Sequence, residues 1–152
     1  MEEIDIKIIE AIKKLSGRHY SPETYSKAAK AALEYASTIG VKVCIACLGS
    51  DGRLDFFYRG EGALPVSIDL SQKKAYTAYA LRMTTLELKE LTKEDKPLYQ
   101  LESSMNDITT VGGGIPVYNE FGEVRGAVGV SGAADPKDDH RIAEVFIKEL
   151  NV

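Results

Sequence analysis

Ile4, Ile8, Ile12 and Leu15 recur at helical spacing with charged residues between them, which predicts an amphipathic helix ended by Gly17. After the SGRHY linker, Ser21 and Pro22 read as the N-cap and first position of a second helix. Its apolar stripe is Tyr25, Ala28, Ala29, Ala32, Tyr35, Ala36 and Ile39, and Gly40 closes it. The many alanines suit close packing against a sheet. The pattern then changes: VKVCIACL is a continuous apolar run, SDGR is a turn signal, and LDFFYR alternates, so a hairpin is expected.

Ser67 is positioned to cap a third helix, and Thr84 or Thr85 to begin a short fourth one around LELKEL. The polar stretch 93–107 reads as a loop with one helical turn. Asp135 and Pro136 open a last helix, with Ile142, Phe146 and Leu150 on its inner face and Val145 beside them. Strands are expected near 41–48, 53–60, 108–111, 115–119 and 123–131, the last two joined by the NEFG turn. The fold class is therefore α+β: one antiparallel sheet of about five strands with helices packed on it. Residues 1–20 form a separable helical arm and 21–152 the domain proper.

The stretch from Val111 to Gly132 concentrates seven of the chain's thirteen glycines. Gly112, Gly113 and Gly114 form a bend. It is either a cradle of backbone amides for an anion or a tight reversal that needs positive φ. No helix opens directly after it, so it is not a phosphate loop. Gly126, Gly129 and Gly132 are spaced through a strand, where they leave a bare surface for the alanine-rich second helix or a neighbouring subunit.

Composition removes several function classes. A net charge of −4 with no basic block argues against nucleic acid as a partner. No apolar run is long enough for a membrane span, and the acidic start lacks the apolar core of a signal peptide. Cys44 and Cys47 have C-x-x-C spacing, but in a strand residues three apart face opposite ways, and no second pair completes a zinc site. Free buried thiols fit a reducing cytoplasm. Ser131 in GVSG lacks the strand–turn–helix setting of a hydrolase nucleophile.

Three stretches carry a family resemblance: VCIACLGSDGRLDFFYRGEGA, SIDLSQKKAYTAYALRMTTLEL, and VGGGIPVYNEFGEVRGAVGVSG followed by DDHRIA. In order and over roughly residues 22–150, they resemble the GlcG/HbpS-like family, which includes the PduO C-terminal domain. That family's pattern is a strand ending in D-x-x-G, then R-x-D-x-A, K-A-x-T-A, G-G-G-x-P-I, G-A-x-G-V-S-G and a later Q-D. Here Gly49 stands at the strand-end Asp, Glu61 replaces the Asp of R-x-D-x-A, and Lys137 and Asp139 are separated by one residue where Gln-Asp is usual. The resemblance implies a profilin-like fold with a five-stranded sheet, a homo-oligomer, and a link to haem or to corrinoid-dependent pathways.

Lys74 and Thr77 share a helix face and Arg59 ends a strand. With the glycine bend they are the expected ligand-binding residues: two cations and a hydroxyl suit a carboxylate. Against this, Asp69 could pair with Lys73 and Glu61 with Arg59 on a solvated face. His19 and His140 are the candidate haem ligands, with Thr84 or Thr85 as oxygen donors in reserve. Three readings stay open: a small-ligand binder, an enzyme acting on a small oxygenated acid or aldehyde, and an oligomeric assembly module for a partner enzyme. The lack of a clear acid–base pair weighs against the second.

Overall fold

The computed structural model describes residues 1–16 and 20–150. Its order is α1 (Glu3–Ser16), α2 (Pro22–Thr38), β1 (Cys44–Leu48), β2 (Leu54–Arg59), α3 (Val66–Leu81), α4 (Thr85–Leu91), α5 (Leu101–Ser104), β3 (Gly114–Tyr118), β4 (Val124–Ser131) and α6 (Pro136–Leu150). The strands form one antiparallel sheet in the order β2-β1-β4-β3. Thus α+β with helices on an antiparallel sheet holds, but the sheet has four strands rather than five.

The missing strand is the one expected at 108–111. Its backbone donors are taken by side chains instead of a ladder. The Thr109 N–H donates to Thr77 Oγ1 at 3.0 Å, that of Thr110 to Glu102 Oε1 at 2.6 Å, and that of Val111 to Thr109 Oγ1 at 3.2 Å. A chain whose N–H groups are met this way has no ladder to offer a neighbour.

Local signals placed the helices well. Ser21 Oγ accepts the Thr24 N–H at 3.2 Å, with Pro22 at the first position of α2. Thr84 caps α4 through the Glu87 N–H, and Asp135 Oδ1 accepts the Lys137 N–H at the start of α6. Ser67 is not a cap. The helix starts two residues earlier, with Pro65 at the cap position, and Ser67 is buried with its hydroxyl 3.4 Å from that of Ser131.

Helices cover both faces of the sheet. On one face, Tyr25, Ala28, Ala32 and Ala36 of α2 and Ile142, Phe146 and Leu150 of α6 pack with Ile45, Cys47, Val128 and Val130. On the other, Ala46 and Leu48 meet Ala75 of α3. At Gly129 the bare strand surface is filled by α3, not by the alanine-rich α2, whereas Gly126 and Gly132 lie against the backbone of Leu48 and of Lys42. A Cβ at Gly129 would lie 1.9 Å from the Ser71 carbonyl oxygen, and one at Gly114 would lie 2.3 Å from that of Lys74. Glycine thus lets helix backbone rest on strand backbone. Ile4, Ile8 and Ile12 of α1 are exposed, so its apolar stripe is left uncovered by the described residues. Among the described residues no helix is long and apolar enough to cross a membrane.

Candidate functional site

The glycine bend is a junction of three helices. A side chain at Gly112 would meet Leu86 and the Pro136 backbone; one at Gly113 would meet Val130, Asp139 and Lys74; one at Gly114 would meet Lys74 and Thr85. Gly113 has φ +127°, which an L side chain rarely adopts. The Gly114 N–H donates to Thr85 Oγ1 at 2.9 Å. The bend therefore serves as a tight, crowded reversal whose surroundings come from α3, α4 and α6.

Lys74 and Thr77 meet the bend from α3, but as buried groups. Lys74 Nζ donates to Asp139 Oδ2 and to the Val130 carbonyl, both at 2.9 Å. Asp139 also accepts the Gly132 N–H at 3.3 Å and the Ala133 N–H at 2.9 Å. Burial drives the Lys74 pKa down and the Asp139 pKa up, and their mutual attraction opposes both shifts. The Thr77 hydroxyl donates to the Lys73 carbonyl at 2.8 Å and accepts the Thr109 N–H.

Arg59 is not beside them. It lies on the edge strand β2, opposite Cys44 of β1 and at the other edge of the sheet from β3, and its guanidinium donates to the Ala63 carbonyl at 3.4 Å. The open cleft with two cations is therefore absent from the described residues: α3 and α6 close over Lys74, and Asp139 takes its charge. Asp139 is the residue the sequence reading passed over. Its place in the sequence, at the position where the family pattern has Gln-Asp, is the signal that marks it.

His140 follows Asp139. Its side chain is 19% exposed, its Nε2 lies 3.4 Å from Glu144 Oε1, and its Nδ1 is buried without a hydrogen-bond partner. His19 lies outside the described residues. Thr84 is a helix cap and Thr85 is buried against Gly114, so both oxygens have structural partners. Cys44 and Cys47 are buried, free, and on opposite faces of β1. Among the described residues no group of three or more His, Cys, Asp or Glu side chains could hold a metal ion.

A second polar cluster lies on the α2 face, built by residues whose spacing in sequence gives no sign of it. Asp55 accepts from the Tyr25 hydroxyl at 3.3 Å, and the Arg125 guanidinium lies 4.1 Å from the Tyr20 ring centroid. Tyr20 and Tyr25 meet edge-on at 5.6 Å, and Tyr25 stacks on Phe56 at 5.1 Å. Two clefts among the described residues are small: about 300 Å³ between the end of α2 and β2, and about 390 Å³ along the first turns of α2.

Known proteins share this architecture. The corrinoid adenosyltransferase PduO of Citrobacter freundii is 36% identical over 124 residues, covering 81% of this chain. The chain spans only 36% of that relative's length. The crystal structure of a PduOC:haem complex superposes with a TM-score of 0.80 at 32% identity, covering 88% of this chain and 96% of the other. The Klebsiella pneumoniae protein ORFY superposes with a TM-score of 0.81 at 28% identity, covering 88% and 91%. The family model described as "Haem degrading protein HbpS-like" matches residues 21–148, and the chain belongs to the HbpS-like family.

Proposed function

We propose that the protein binds a small ligand of the tetrapyrrole class, haem or a molecule of a corrinoid pathway, in a homo-oligomer of profilin-like subunits in the cytoplasm. The observation that carries this reading is the similarity, over nearly the whole length of both chains, to a domain solved with haem bound. The described residues contain groups that fit such a ligand. His140 Nδ1 has no hydrogen-bond partner but is buried, and Nε2 faces Glu144 at 3.4 Å, so His140 serves as an axial iron ligand only once its ring turns toward the groove. Clefts of about 300 and 390 Å³ are at the lower end of small-molecule sites, so the macrocycle lies in a surface groove that a second copy completes.

The sheet edges supply faces for that second copy. β2 and β3 are both unpaired on one side, and Leu54, Tyr58 and Tyr118 are exposed along them. In this reading Gly112, Gly113, Gly114, Lys74 and Thr77 shape one wall of the site from inside, and Arg59 adds a charge at the β2 edge. Of the arm expected over residues 1–20, the part before Tyr20 acts outside the binding domain, while Tyr20 itself packs against the core; the family match begins at residue 21.

The test is a visible titration of the purified protein with haem. A Soret band that saturates at a fixed stoichiometry, and is shifted in position or weakened in His140→Ala, supports the reading. No saturable band overturns it. A parental spectrum in His140→Ala removes His140 as the ligand and leaves His19 to be tested in the same way.

A further inference from the structure

Two of the sheet's ladders are broken by a bulge, and each bulge carries a charged residue. Between β1 and β2, Cys47 pairs with Phe56 and Leu48 with Leu54, so Asp55 is the extra residue. Between β3 and β4, Val117 pairs with Gly126 and Tyr118 with Val124, so Arg125 is extra. Because Leu48 pairs with Ala127, both bulges lie at the same end of the sheet, on either side of Gly49. Bulges commonly re-aim a side chain beside a site.

The two re-aimed residues meet the two tyrosines described above. The Asp55 carboxylate also occupies the space over Gly49, where a Cβ would come within 2.5 Å of Oδ2. Arg125 Nε and the Tyr20 hydroxyl are both shut away from water, and neither has a hydrogen-bond partner. Among the described residues no carboxylate pairs with Arg125. Buried donors are nearly always met, so two unmet donors on side chains in mutual contact mark the place of a missing acceptor.

We propose that Arg125 and Tyr20 form a subsite for a carboxylate, with Asp55 and Tyr25 as the pair that positions Tyr20. The planar guanidinium presents parallel N–H groups that match a carboxylate, and the phenol adds a single donor. The carboxylate comes either from the edge of a tetrapyrrole or from a free small acid; only the first source rests on the function proposed above.

The experiment compares the parent, Arg125→Ala and Tyr20→Phe in titrations with haem, with haem dimethyl ester and with propionate, the last followed by the arginine Nε–Hε resonances. Arg125→Gln replaces Arg125→Ala if that variant does not fold. For a tetrapyrrole carboxylate, the arginine variant weakens haem binding about tenfold or more and Tyr20→Phe weakens it less, while ester binding is the same in all three. Equal losses for haem and ester would mean a structural role only and overturn the subsite, as would unchanged haem binding in both variants. If the parent binds neither haem nor ester, the tetrapyrrole reading fails and propionate decides. A saturable shift of the Arg125 resonance that weakens in Tyr20→Phe supports a free acid as the ligand, and no shift overturns the subsite.

Discussion

Lys74 and Asp139, 65 residues apart in sequence, are joined by an ion pair of 2.9 Å whose side chains are 1% and 2% exposed. The pair fastens α3 to α6 across the end of β4, because Lys74 also holds the Val130 carbonyl and Asp139 also holds the Gly132 and Ala133 amides. Taking both charges out of water costs several kcal/mol per ion, roughly what their attraction and hydrogen bonds return. Such a pair fixes which surfaces meet more than it adds net stability.

Removing one partner should therefore be far worse than removing both charges. Lys74→Met leaves a buried carboxylate without its cation and is expected to lower the unfolding free energy by about 3–5 kcal/mol. In Lys74→Met/Asp139→Asn the amide oxygen still accepts from Gly132 or Ala133, and no net charge is stranded. Urea unfolding should place the double variant above the single lysine variant. A double variant as unstable as the sum of both singles would contradict this account.

Gly129 and Gly122 separate two reasons for glycine. At Gly129 a Cβ would strike the Ser71 carbonyl oxygen at 1.9 Å and the Ala75 nitrogen at 2.6 Å. At Gly122, in the NEFG turn, φ is +76° and nothing lies within 4 Å of a Cβ. Gly122→Ala is expected to cost about 1–2 kcal/mol, the left-handed backbone penalty alone. Gly129→Ala should exceed the roughly 1–3 kcal/mol of ordinary overpacking, since backbone rather than a side chain must move. Denaturation midpoints of the two variants, measured side by side, check the order.

These contacts show where sequence was informative. Ser21, Pro22, Thr84 and Asp135 act within a turn of their own positions, so the starts of α2, α4 and α6 could be read directly. Both hairpin turns were legible for the same reason. The strand expected at 108–111 failed because Thr77 and Glu102, 32 and 8 residues from the amides they bind, supply its acceptors. The spacing of Lys74 and Thr77 correctly put them on one helix face. It could not show that Asp139 would arrive to bury that face. The bulges that aim Asp55 and Arg125 at the tyrosines depend on register between strands, which alternation alone does not set.

Thr77 makes a sharper test of the candidate wall than Lys74. Thr77→Val removes the acceptor of the Thr109 N–H, which is buried, and should cost about 1–3 kcal/mol. Thr77→Ser keeps the hydroxyl and should cost less. Amide exchange at Thr109 should accelerate in the valine variant and stay slow in the serine variant. Equal exchange in both would mean that another group meets this amide.

Alkaline pH should loosen the α2 face through Cys47 and Tyr25. Burial first, and the nearby Asp55 carboxylate second, push the Cys47 thiol up to about 12 from an ordinary 9.0. Burial first, then the neighbouring Cys47 and Asp55, also raises the Tyr25 phenol. In the native state both groups keep their protons where the unfolded chain has begun to release them. The stability linked to Cys47 is thus fully present below about pH 9 and is lost as pH rises toward 12. Within that window the slope is at most about 1.4 kcal/mol per pH unit for each group. Lys74 works in the opposite direction, because its native pKa is lowered and the unfolded chain holds its proton longer. The total slope is therefore a sum of opposing contributions, and the informative quantity is the difference between variants. Urea unfolding of the parent and of Cys47→Ala, from neutral pH to about pH 11, should show curves that converge as pH rises, because only the parent loses the thiol contribution. Curves that stay parallel would mean that the Cys47 thiol titrates alike in the folded and unfolded chains.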